Sequence, residues 1–276
     1  MLQMSQVHSA ASLNKIIANR TPGLYSIERT GETMKDFLTD IVAHTQALGV
    51  INLVKITGDD KSTILESVSD DKSLVVDAEF NTPNPAFAGV YGLPNLSKLA
   101  TILNIPEYRE NAQIDMISQN RNGVDTPTGL HFENAAKDFK NDYRFMTVEI
   151  VNEQLKSVKF KGANWNITFE PTQASIQRFK FQAQANSDES VFQVKTEGNN
   201  LKFYFGDHST HAGDFVFQGG ITGQLKMGWY WPVAIFQGIL NLDGDKTIQL
   251  SDDGVAQITV DSGLIKYRYI LPAQSK

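Results

Sequence analysis

The chain has no cysteine, which excludes disulfides, thiol nucleophiles and cysteine-ligated zinc, and is compatible with a reducing compartment. No apolar run approaches the ~18 residues that a membrane-crossing helix needs. Residues 1–14 lack a basic stretch followed by an apolar block, so no secretory leader is expected. There is no glycine-rich phosphate loop with its lysine, no strand-anchored dinucleotide fingerprint and no Gly-x-Ser-x-Gly elbow. Low-complexity tracts are also missing. These absences predict a protein that is not an enzyme, with no catalytic residues, no metal and no cofactor.

What is present is a balanced globular composition. Hydrophobic residues make up 41% of the 276 and charged residues 20%, enough for two ordinary domains, each with its own core. Against 25 lysines and arginines stand 31 acidic residues, a net charge of −6. That balance argues against coating nucleic acid by bulk attraction, but it leaves room for basic residues gathered on one surface.

The second half repeats the plan of the first: a strand, a helix, four strands, a short helix and three strands. Leu93-Pro94-Asn95-Leu96-Ser97-Lys98-Leu99 and Trp231-Pro232-Val233-Ala234-Ile235-Phe236 are matching Pro-led helical turns that follow a strand. After a polar lead-in with a short helix near Ala11–Ala18, Leu24–Glu28 reads as the first strand. Thr33 and Asp36 have capping spacing, and Met34, Phe37, Leu38, Ile41, Val42, Thr45 and Leu48 form a helical stripe ended by Gly49. Strands are expected at Val50–Thr57, Thr63–Ser69, Ser73–Phe80 and Ala86–Tyr91, and a helix at Pro94–Ile105. Strands at Ala112–Ser118, Thr128–Glu133 and Tyr143–Ile150 close the first half, with Asn134–Asp142 as a long exposed turn. Val151–Lys161 has no helical period and is the best linker. The second half then carries Asn166–Phe169, a segment after Pro171 that fits a helix or a strand and is read as a helix from the repeat, and strands at Ser190–Thr196, Asn200–Phe205, Gly213–Gln218 and Thr222–Trp229. Pro232–Leu240 is its short helix, and Lys246–Ser251, Val255–Val260 and Leu264–Ile270 are its last strands.

Few residues nominate chemistry. His208 and His211 form a His-x-x-His pair that would hold zinc only if Asp207 or Asp214 converged on it. Their Gly/Ser/Thr setting reads better as a solvated hairpin loop. Asp243-x-Asp245 and Asp252-Asp253 lack the remaining ligands of a calcium loop and fit ordinary turns. The basic residues carry more: Lys35 opens the first helix, Lys98 lies on the polar side of the second, and Arg178 and Lys180 fall in the third. On a shared face they would meet phosphates without reading bases. The alternative for each is a solvated helix surface.

The duplicated plan and the segment Asp253–Ala273, a strand, a Gly turn and an aromatic-rich strand ending in Leu271-Pro272-Ala273, resemble the DNA sliding clamps. These are proliferating cell nuclear antigen and the processivity clamps of large tailed bacteriophages. The resemblance implies an α+β DNA-clamp fold with an N-terminal domain over 1–150, an interdomain linker over 151–165 and a C-terminal domain over 166–276. It implies a homotrimeric ring around double-stranded DNA, bound without sequence preference, that tethers a replicative DNA polymerase, needs a clamp loader, avoids membranes and works in the cytoplasm (of the host cell, if phage-encoded). Lys35, Lys98, Arg178 and Lys180 would face the DNA. A partner-peptide groove would be built from Val151, Leu155, Val158 and Phe160 of the linker and Tyr269, Leu271 and Pro272 of the tail. Two departures stand out: the first helix is acidic for a DNA-facing element, and Asn134–Asp142 has no counterpart. Two other classes remain open, a β-rich phage structural or binding protein without catalytic activity and an enzyme with scattered carboxylates, such as one acting on carbohydrate.

Overall fold

Thr33 and Asp36 close the expected capping box. The Thr33 N–H donates to Asp36 Oδ2 at 2.7 Å and the Asp36 N–H to Thr33 Oγ1 at 3.3 Å. Two of the N–H groups that a helix start leaves unpaired are thereby satisfied. The helix they begin, α1 (Met34–His44), buries Phe37, Leu38, Ile41, Val42 and His44. A 3-10 turn at Gln46–Leu48 follows, and Gly49 at φ 75° takes the left-handed position that stops it. The computed structural model describes residues 32–121, 123–155, 160–207, 209 and 211–274. The helix expected at Ala11–Ala18 and the strand expected at Leu24–Glu28 lie outside the described residues.

From Thr33 onward the chain forms one compact unit. Strands β1 (Leu53–Gly58), β2 (Thr63–Val68), β3 (Val75–Phe80) and β4 (Gly89–Pro94) lead into α2 (Leu96–Leu103). Next come β5 (Gln113–Arg121), β6 (Val124–Glu133), β7 (Lys140–Arg144) and a helix α3 (Val148–Gln154). The second half runs β8 (Ile167–Phe169), α4 (Gln173–Ala185), β9 (Val191–Glu197), β10 (Asn200–Gly206), β11 (Ala212–Gly219), β12 (Trp229–Pro232) and α5 (Val233–Asn241). It ends with β13 (Asp245–Ser251), β14 (Val255–Asp261) and β15 (Ile265–Pro272).

Strand order makes the repeat explicit. The first half orders its strands β4-β1-β2-β3 and the second β12-β9-β10-β11, and each half adds a β5-β6-β7 or β13-β14-β15 meander. Antiparallel pairing of β3 with β15, Val76 opposite Tyr269 and Ala78 opposite Tyr267, joins the halves into one eight-stranded sheet. Alternation then decides the faces. Val76, Ala78, Tyr267, Tyr269, Ile258 and Leu250 point toward the helices and share one continuous core with them. Helix α1 packs on α2 and β15, α5 packs on the Gln46–Leu48 turn and on α4, and α4 lies on β11. The four helices therefore form one layer.

Several elements depart from expectation, each for a local reason. Tyr143–Ile150 is not one strand. Pairing of β7 with β6 stops at Arg144, Met146 exchanges two 2.9 Å backbone hydrogen bonds with Gly92, and α3 begins at Val148. Gly92 permits this, because a Cβ there would sit 2.9 Å from Val151 Cγ2 and 3.0 Å from Met146 Cβ. Val151–Gln154 is accordingly helical rather than extended. Only the first part of Asn134–Asp142 is a turn, folded around buried Asn134, whose Oδ1 accepts from the N–H groups of Asp138 and Phe139, and Lys140–Asp142 already belong to β7. Thr222–Trp229 is mostly loop, broken by Gly220 and Gly223 at φ 69° and 91°, and only Trp229 joins a strand. The ambiguous segment after Pro171 is the helix α4, because its Ile176, Phe179 and Ala183 all face the core.

Candidate nucleic-acid and partner interfaces

The helix layer holds the four expected DNA-facing cations, but their surroundings differ. Lys35 is half-buried and donates to the carbonyls of Tyr108 and Arg109, at the end of a 3-10 turn, so its charge already serves the fold. Lys98 is exposed on α2, with no side-chain partner among the described residues. Arg178 is exposed on α4, donates from Nη1 to the Val216 carbonyl at 3.1 Å and lies over the Phe215 ring, 5.2 Å from its centroid. Lys180 is half-buried and close enough to Lys246 that burial, together with Lys180's charge, holds Lys246 below the usual lysine value against the pull of Asp243 and Asp245. Lys246 was not legible as a site residue, because it opens a strand and bonds the carbonyls of Leu242 and Gly244 after α5. The layer runs α2, α1, the Gln46–Leu48 turn, α5, α4, which puts Lys98 toward one end and Arg178 and Lys180 at the other.

The acidity of α1 is largely internal. The Asp36 carboxylate accepts from the Thr33 N–H in the capping box, and Asp40 Oδ2 accepts from Ser262 Oγ at 3.0 Å and from the Tyr267 hydroxyl at 2.8 Å. On the opposite sheet face, cations are paired: Lys55 with Glu66 at 3.2 Å, Arg268 with Asp77 at 2.9 Å, Lys266 with Asp261 at 3.2 Å and Lys202 with Asp214 at 2.9 Å. Such partly exposed pairs add little stability, but they neutralise that face.

The expected partner groove is not assembled from the predicted residues. Val151 is fully buried against Gly92 of β4, while Tyr269 and Leu271 are fully buried on the helix-facing side of β15. The Tyr269 hydroxyl donates to the His44 carbonyl at 2.7 Å, and the Leu271 carbonyl accepts from Trp231 Nε1 at 3.1 Å. Strand β4 is four positions from β15 in the sheet, roughly 19 Å at ~4.8 Å per strand. The outward residues of β15 are Lys266, Arg268, Ile270 and Pro272. Ile270 pairs with Val75; both are buried, at 4% and 7% exposure, yet stand apart from the main core. Leu155 and Phe160 are half-exposed, with Phe160 6.0 Å from the Trp165 ring, and Pro272 is exposed. Val158 lies outside the described residues.

The other expected features are turns. Asp252-Asp253-Gly254 makes the hairpin between β13 and β14, with Gly254 at φ 72°. His211 is exposed beside β11, and His208 lies outside the described residues. No cluster of three metal-ligating side chains occurs among the described residues.

Two sheet edges complete the picture. Among the described residues no strand pairs with the outer side of β7 or of β11. In the repeat, β7 corresponds to β15 and β11 to β3, the two strands that join the halves.

No family model and no curated protein sequence matches the chain. Solved structures do. The chain is similar to A. fulgidus PCNA, in its structure with the bound C-terminal region of FEN-1, with a TM-score of 0.64, 11% identity, and coverage of 88% of this chain and 96% of that one. It is also similar to Thermococcus kodakaraensis PCNA, with a TM-score of 0.59, 9% identity, and coverage of 88% and 98%. The fold is that of the sliding clamps, mixed helix and antiparallel sheet.

Proposed function

We propose that the chain is a sliding clamp: three copies close head to tail into a ring around duplex DNA and tether a replicative polymerase to it. The observation that carries this reading is the pairing of β3 with β15. Its two counterparts, β11 and β7, have unpaired edges at opposite ends of the repeat. Joining β7 of one copy to β11 of the next would repeat the internal junction between subunits, and a heterologous contact of this kind closes into a ring. Closure also covers edges that would otherwise invite uncontrolled pairing. Each subunit would comprise domains over 1–150 and 166–276 joined by 151–165. A ring that must load onto DNA calls for a clamp loader, and a topological hold needs only weak, sequence-blind phosphate contacts.

The test is topological. Loaded onto nicked circular duplex, the protein should remain bound through a salt wash that strips it from the same DNA linearised. Equal loss from both would remove the ring reading. Lys98→Glu combined with Lys180→Glu should weaken duplex binding at low salt and flatten the salt dependence by about 0.9 log unit for each phosphate no longer neutralised. Both side chains reach the surface, so the double variant should keep its unfolding midpoint. Unchanged binding would mean that these lysines are only solvated.

For the polymerase, the outward residues of the linker and of β15 offer the docking surface. Pro272→Asp or Leu155→Asp should reduce capture of an apolar-aromatic partner peptide without unfolding the chain. Leu271→Ala should instead behave as a core cavity, costing about 2–5 kcal/mol of stability. Calorimetric titration with the peptide and chemical denaturation separate the two effects.

A further inference from the structure

We propose that His44 is held as a doubly protonated imidazolium that clasps α1 to the second half of the chain, and that this clasp loosens as pH rises. The proposal is independent of the clamp reading.

His44 is the last residue of α1 and is only 4% exposed. Its Nδ1 lies 2.9 Å from the Asp40 carbonyl and 3.3 Å from Asp40 Oδ1, while its Nε2 lies 3.0 Å from the Asp243 carbonyl. Those partners are two backbone carbonyls and a carboxylate oxygen, which accept hydrogen bonds and donate none. A neutral imidazole has a single N–H, so one ring nitrogen would face an acceptor with its own lone pair. Two N–H groups satisfy every contact. The carboxylate of Asp40 is itself held as an acceptor by Ser262 Oγ and the Tyr267 hydroxyl. The C-terminal end of a helix also favours a cation.

Every element packed around the ring takes part in this arrangement. Helix α1 supplies Asp40. The turn from α5 to β13 supplies the Asp243 carbonyl, with Asp245 and Lys246 just beyond it. Strand β15 supplies Tyr267, stacked on the imidazole at 4.6 Å, and Tyr269, which bonds the His44 carbonyl. Burial keeps both tyrosines neutral, with Asp40 adding to the effect. Lys35, Asp36 and Arg109 line the same open cleft of about 880 Å³. Burial alone pulls the His44 pKa down, but the Asp40 carboxylate and the two carbonyls outweigh it and leave it above 6.5. The imidazolium therefore ties the first half to two elements of the second, close to where β3 meets β15.

A folded-state pKa above the unfolded value stabilises the fold fully below about pH 6.5. That contribution is lost as pH rises through the folded-state value. The full chain is titrated from about pH 6 to 9 by NMR of the histidine Cε1–H signals, with His44→Gln identifying the His44 peak. Denaturant unfolding is followed over the same range. The expected midpoint lies above 6.5, and the folding constant of the native chain should fall tenfold for each unit of that excess. His44→Gln should lack that slope, and Asp40→Asn should lower the midpoint. A midpoint at or below 6.5 overturns the proposal, as does a pH slope that is the same with and without His44. If His44→Gln does not fold, the histidine signal whose midpoint Asp40→Asn lowers identifies His44, and its midpoint in the native chain decides.

Discussion

Val216→Pro is expected to convert the proposed ring into monomers and, with it, abolish the proposed retention on circular DNA while leaving the subunit folded. Val216 lies on the edge strand β11 and turns its carbonyl toward Arg178 rather than into the ladder with β10. In an antiparallel strand, a residue's N–H and C=O point to the same side. The amide at 216 therefore faces outward, where proline can stand without breaking an internal hydrogen bond. It would remove one outward donor and place a ring where a neighbouring β7 must approach. Asp214 on β11 and Lys140 and Arg144 on β7 offer opposite charges across that contact, much as Asp77 and Arg268 do across the internal one. Sedimentation should show a species of the 30.7 kDa chain mass in place of one three times heavier. A variant that stays trimeric would place the subunit contact on another edge.

The comparison between the two junctions also shows what a sequence can reveal. The capping pair, the stripe of α1 and the Asp-Gly turns depend on neighbours a few residues apart, and all formed as expected. The succession of elements along the chain, α3 aside, followed from the repeat. What escaped notice depends on contacts far apart in the chain. Helix α3 exists because Val151 finds a side-chain-free position at Gly92, about sixty residues earlier, and no local pattern announces that. Among the expected groove residues, Tyr269 and Leu271 lie one position out of phase with the outward face of β15: they are apolar, but so is the core. Lys266 and Arg268 set the parity of β15, since two charged residues on one face place Ile270 and Pro272 there too. That signal was present in the sequence. Lys35 shows a different limit, because a lysine on a polar helix side reads the same whether it meets phosphate or the carbonyls of Tyr108 and Arg109.

Phe179→Ala should be the most destabilising substitution in the second half, at about 3–5 kcal/mol. Phe179 is fully buried on the inward face of α4. Its ring lies 5.0 Å from that of Phe192, 5.5 Å from Phe236, 5.7 Å from Phe205 and 5.9 Å from Phe203. These rings come from three elements, β9, β10 and α5, so the side chain is where the helix meets both the sheet and its neighbouring helix. Edge-to-face and tilted pairs at such distances add to the area they bury. Truncation leaves a void that rigid aromatic neighbours cannot close, which sets the cost at the high end of the range. The consequence reaches function, because α4 carries Arg178 and Lys180 and lies on β11. A loosened α4 would weaken the proposed DNA-facing layer and the proposed subunit edge together, which Lys98→Glu combined with Lys180→Glu would not do. Chemical denaturation measures the stability loss, and sedimentation at low protein concentration measures the weakened edge. A loss below about 1 kcal/mol would mean that the cluster repacks around the gap and that α4 is held by Ile176 and Ala183 instead.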